Sequence, residues 1–298
     1  MVRIAIVGDP GSGGTTVLGL LYAAQVRRSS AEGSAFRFQA APSSMPRVGA
    51  IFEQLKAGEF PTRTAASPSG PIEFLFEPRP TLAASLRGRW IPGRHPPEGG
   101  RNVQWTRASF TDLRRHLEGG GFPTDGARQL EGADVLAVLV PPTLNQGAVG
   151  SSDPGPDDTL AKAFSAADQQ NRTGARSSMA VAFIFTMLDR LPEGRRTELG
   201  LLPSLQDSVP PERRETIGLQ LVQELLPKTR ALLARDGGAD RSSETRPKFF
   251  FSWVETDPAT AGRLRLRSYP GGGWEPAYPF GEYVALIEAC DVWAGGRR

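Results

Sequence analysis

The sequence predicts an α/β fold: one mostly parallel β-sheet with helices on both faces and enlarged loops between the elements. Three observations lead there. Short apolar runs rich in β-branched and aromatic residues recur along the 298 residues. Between them lie segments whose apolar residues fall at i, i+3, i+4 spacing. The first run passes through a glycine-rich turn directly into one such segment. Buried runs alternating with helical patterns are the signature of a parallel, helix-covered sheet. No clean linker separates these elements, so a single domain over 1–298 is expected.

The elements follow in order. Val2, Ile4, Ile6 and Val7 read as a buried strand ending at Gly8, and Val17, Leu20, Leu21 and Ala24 as one face of the helix after the glycine turn. Further strands are expected at 72–76, 103–106, 133–140, 180–185 and 248–251. Helical spacing appears in Phe110/Leu113/Leu117, in Ile217/Leu221/Leu225 and over 283–293, through Val284, Ile287 and Asp291. Segments rich in Ser, Pro and Gly, or polar throughout, make long loops the expectation near 29–71, 87–101, 141–178 and 236–247. Loops beyond about 12–15 residues are commonly functional or disordered.

Composition excludes several classes. An apolar content of 39% with 22% charged residues is that of a soluble globular chain. No run approaches the ~18 apolar residues of a membrane span, and no signal segment precedes the first strand, so a cytoplasmic location is expected. The lone cysteine, Cys290, excludes an internal disulfide framework, and two histidines, His95 and His116, leave no Cys/His zinc cluster. Net charge is only +3, with no basic tract or interleaved aromatics, so nucleic acid is not supported as a partner. Four lysines stand against 31 arginines.

The turn after the first strand reads VGDPGSGGTT. The phosphate-binding loop has the form G-x-x-x-x-G-K-[ST]. Gly8, Gly13 and Thr15 occupy three of its four fixed positions, and Gly14 stands where the lysine belongs. Arginine bias does not explain the loss, because position 14 carries no charge at all. Strand, glycine loop, then helix is the context such a loop requires. Backbone N–H groups across Gly8, Asp9, Gly11, Ser12, Gly13, Gly14, Thr15 and Thr16 would face a phosphate, with the helix dipole favouring its charge. Thr15 sits at the position that coordinates Mg²⁺. The alternatives are a structural turn and a dinucleotide fingerprint, the latter weaker because Thr16 stands where a third glycine is needed.

Two later motifs fall at strand ends. The strand 180–185 runs into Thr186-Met187-Leu188-Asp189, and the strand 248–251 runs into Ser252-Trp253-Val254. Together with the glycine loop, they resemble the Ras-like and translation-factor-type (TRAFAC) P-loop GTPase superfamily over most of the chain. TMLD is similar to the [NT]-K-x-D guanine motif. By that resemblance Asp189 would accept N1–H and the exocyclic amine of guanine, a charge-assisted bidentate pair that adenine cannot reciprocate. Thr186 and Met187 would flank the base, the Met stem packing where the family has lysine, and Ser252 would belong to the loop closing over it. As a residue reading alone, Asp189 also suits a turn cap. The segment from Leu55 to Thr64, with its L-x-x-G-x-[FW]-P-x-x-T pattern, looks like that of bacterial conflict-system double GTPases. It makes Thr64 the switch threonine on Mg²⁺, with Thr62 second.

The chain also departs from the family. After the strand 103–106 the D-x-x-G motif is missing: the sequence reads Arg107-Ala108-Ser109-Phe110, and Asp112 and Asp125-Gly126 lack the spacing. Phosphoryl transfer is almost entirely positioning and electrostatics, and losing one such donor commonly costs ~10²–10³ in rate. The resemblance therefore implies a degenerate GTPase-like pseudoenzyme that binds GTP or GDP weakly or without efficient hydrolysis and acts through a protein partner. The alternatives are an active GTPase using a non-standard cation or a partner's residue, and a nucleotide-free interaction module. Arg87, Arg89, Arg94, Arg101, Arg107, Arg114 and Arg115 crowd one stretch, as a solvated basic face or as phosphate or partner contacts. None is assigned as catalytic.

Overall fold

A computed structural model describes residues 1–29, 36–61, 71–78, 101–119, 125–130, 132–144, 155–172, 179–201, 208–235, 246–258, 264–268 and 276–295. In chain order these form β1 (Val2–Val7), α1 (Gly14–Ser29), β2 (Phe36–Ala40), α2 (Met45–Lys56), β3 (Ile72–Pro78), β4 (Arg101–Ala108), α3 (Phe110–Glu118), α4 (Asp125–Leu130), β5 (Val135–Val140), α5 (Pro156–Arg172) and β6 (Ala180–Phe185). A 3₁₀ turn (Leu188–Arg190) follows, then α6 (Glu193–Leu199), α7 (Pro211–Leu225), α8 (Pro227–Arg235), β7 (Lys248–Phe251), β8 (Thr256–Pro258), β9 (Leu264–Leu266) and α9 (Phe280–Gly295).

Seven strands make one sheet in the order β2-β3-β4-β1-β5-β6-β7. β1 pairs in parallel with β4 and β5, and β5, β6 and β7 continue in parallel; β3 runs against both its neighbours. The α/β class and the mostly parallel sheet are as expected, and the arrangement is consistent with a P-loop GTPase-like fold. Because side chains alternate across a strand, the apolar runs supply two cores. Ile4 and Ile6 of β1, Leu139 of β5 and Ile184 of β6 face a core shared with α1, α2 and α9. Val7, Val138, Phe183 and Phe185 face the other, with α3, α5 and α7. Phe183, Phe249, Phe185 and Phe251 stack along that second face with centroids 5.5–6.4 Å apart.

Three elements lie within segments expected as loop. β2 lies within 29–71 because Phe38 and Ala40 find a partner edge on β3, a pairing no local pattern announces. α2 lies there too, burying Val48, Ile51 and Leu55. Within 141–178, α5 begins at Pro156 with Asp157 and Asp158 in its first turn. Proline at the first helical position and acids at the positive dipole end are start signals, and here they resemble the composition of a loop.

Candidate functional site

The glycine loop sits where β1 and β4 end. The Gly8 N–H donates to the Ala108 carbonyl at 3.0 Å, which ties the loop to the neighbouring strand. A Cβ on Gly8 would lie 2.5 Å from the Ser12 Oγ and 2.9 Å from the Leu139 Cβ, so no larger residue fits. Gly13 has φ +88°, in the left-handed region that glycine occupies without penalty. Its carbonyl accepts from Val17 N–H at 2.9 Å, which opens the helical ladder of α1. The loop thereby wraps a cavity of about 500 Å³ whose walls include residues 8–16, Phe60 and Pro61 beyond α2, Arg107 and Ala108 at the end of β4, Ser109 and Asp112 after it, and Met187. This is the crevice at the carboxyl ends of the strands, beside β1, where an open α/β sheet takes its ligands.

The base-side motif is joined to this loop. The buried Thr186 hydroxyl donates to the Ser12 carbonyl at 2.7 Å, which binds the TMLD turn to the phosphate loop. Met187 reaches the cavity from a left-handed backbone, φ 56°, the one non-glycine at positive φ among the described residues. Asp189 is half-buried, and burial pushes its carboxyl above the ordinary range, while the N–H groups of Asp189 and Val254 and the charges of Arg190 and Arg196 pull the other way. The Val254 N–H is a long 3.5 Å from its Oδ1. Asp189 does not line the cavity itself. Ser252 offers little to a base. Its hydroxyl shares a 2.6 Å hydrogen bond with the Tyr283 hydroxyl inside the core. Its N–H donates to Phe185 O at 2.7 Å, and its carbonyl accepts Leu188 N–H at 3.3 Å.

Arg107 is the residue the motifs did not assign. It is the penultimate residue of β4, and the register that pairs it with Ile6 brings it beside the loop. A guanidinium N–H donates to the Thr15 Oγ1 at 2.8 Å. Although the residue is exposed overall, desolvation by the cavity wall and then the nearby charge of Arg47 hold its pKa below the usual arginine value. The two acids lining the cavity have other engagements. The Asp9 carboxylate accepts the Phe110 N–H. The Asp112 Oδ2 accepts the Ser109 N–H at 2.9 Å and its hydroxyl at 2.7 Å, closing a capping box at the start of α3.

Mg²⁺ suits this arrangement poorly. A guanidinium already holds the Thr15 hydroxyl, and a divalent ion on the same oxygen would meet that charge at close range. Among the described residues no group of three or more His, Cys, Asp or Glu is gathered to hold a metal. Thr62 and Thr64, the expected switch threonines, lie outside the described residues, as do Arg87, Arg89 and Arg94. Arg101 faces α9 instead, 3.2 Å from Asp291. No described helix is long and apolar enough to cross a membrane.

No family model matches the chain, and no curated protein matches it. Among solved structures it is similar to Sup35 complexed with GDP, with TM-score 0.30 and 13% identity over 84% of this chain and 36% of that one. The chain thus spans little more than a third of that protein's chain. The sheet order and the loop geometry above carry the fold assignment.

Proposed function

We propose that this chain binds GTP or GDP, with the polyphosphate in the cavity over the β1–α1 loop and the guanine against the TMLD turn, without efficient hydrolysis. The observation that carries the reading is the Thr186–Ser12 hydrogen bond. It makes one rigid unit of a phosphate-type loop and a carboxylate-bearing turn, the two parts a nucleotide would bridge. Asp189 supplies the acceptor for guanine, and Met187 a thioether stem for its face. Ser252 contributes through the fold of its loop rather than through its hydroxyl. Slow turnover follows from chemistry: position 14 lacks its lysine, and the strand end where the family carries the D-x-x-G aspartate carries Arg107. A chain that holds nucleotide without consuming it offers a conformation rather than a product, so a protein partner belongs to this reading.

Calorimetric titration with GTP, GDP and ATP tests it. The expected result is guanine over adenine selectivity, reduced about 10- to 100-fold in Asp189→Ala, the value of a charge-assisted hydrogen bond. ATP binding as tightly as GTP, or no binding of any nucleotide, would sink the guanine reading.

A further inference from the structure

We propose that Arg107 is the phosphate-binding cation of this cavity, replacing both the missing loop lysine and the divalent metal, so that the site takes a di- or triphosphate without Mg²⁺. The inference deepens the nucleotide reading and rests on it for the location of the phosphates.

Three observations converge. The guanidinium is held at the loop by the 2.8 Å hydrogen bond to Thr15, the residue whose hydroxyl would otherwise face a metal. It lies in the wall of the cavity that residues 8–16 enclose. The charge of Arg47, whose guanidinium donates to the Pro71 carbonyl at 3.0 Å, adds to the desolvation that lowers the Arg107 pKa, and an anion at Arg107 would be favoured by both charges. A planar guanidinium carries five N–H donors in a fixed fork, so it can engage Thr15 and a phosphate oxygen at once. Thr15 then acts as an anchor for the cation rather than as a ligand to metal. The Asp9 carboxylate accepts the Phe110 N–H, and the Asp112 carboxylate closes the capping box at the start of α3.

The test is titration of the full chain with inorganic pyrophosphate and with GDP, each in Mg²⁺ and in EDTA, for wild type, Arg107→Gln and Arg107→Lys. Wild type should bind both ligands within about twofold in the two buffers. Arg107→Gln should weaken both by about 10- to 100-fold, and Arg107→Lys by less. Adding Gly14→Lys to Arg107→Gln should restore pyrophosphate binding, because a Cβ at Gly14 meets only the Leu139 Cδ1, a terminal methyl that need give only a few tenths of an ångström, at 3.0 Å. Wild-type binding that collapses in EDTA overturns the proposal, as does a normally melting Arg107→Gln that binds like wild type. If the variant melts abnormally, the EDTA comparison on wild type decides alone. Pyrophosphate bound through Arg107 with no guanine preference keeps this inference and removes the guanine reading. No binding of either ligand removes both.

Discussion

Under the proposed guanine reading, Asp189 sets stability against recognition at the level of one residue. Burial raises its carboxyl pKa above the ordinary 3.8 of an aspartate. The folded protein therefore holds a proton that the unfolded chain has released, and the sign follows. Its contribution to stability is full below pH 3.8 and is lost as pH rises through the raised folded value. Asp189→Asn removes this penalty, so its thermal midpoint should exceed that of wild type at neutral pH and converge with it in acid. Guanine selectivity should move oppositely, weakening in wild type as the carboxylate protonates. A neutral-pH midpoint for Asp189→Asn at or below wild type would show that the charge is better solvated than its burial implies. Thr186 and Asp189 are legible as a pair from spacing. That Ser252 spends its hydroxyl on Tyr283, 31 residues away, is not.

Among the elements, α9 is anchored at its first turn by one acidic side chain. Glu282, in its first turn and 2% exposed, accepts Val209 N–H at 2.7 Å, Phe251 N–H at 3.0 Å, and Arg214 at 2.6 and 3.0 Å. It thus joins α9 to the end of β7, to α7 and to the segment entering α7. Glu282→Ala leaves a largely buried guanidinium and two amides unsatisfied, and should cost about 3–5 kcal/mol by urea unfolding. Burial raises the Glu282 carboxyl pKa, the dominant influence even against Arg214, so the neutral isostere Glu282→Gln should cost less. An Ala variant within about 1 kcal/mol of wild type would mean that water replaces the carboxylate. The elements with strong local patterns, β5, β6 and β7, are read directly from sequence. β2 and α5 are not. β2 depends on an edge that β3 provides, and α5 opens with prolines and acids that serve loops equally well.

In the whole molecule, every central strand contributes to both cores: Ile4 and Ile6 to one, Ala5 and Val7 to the other. Neither core can dissolve while the sheet persists. A single domain should therefore lose tryptophan fluorescence and far-UV ellipticity in coincident denaturant transitions. Two separated transitions would divide the chain into independent units. The sequence by itself determined the alternation of strand and helix, the glycine loop, the absence of its lysine and the carboxylate of the TMLD turn, because each is a pattern within a few residues. Only the tertiary structure decided what stands in the lysine's place. Arg107 and Thr15 are 92 positions apart, and one arginine among 31 carries no local mark. It is the parallel register of β1 against β4 that brings that guanidinium to the loop, and register is a property of paired strands rather than of either one.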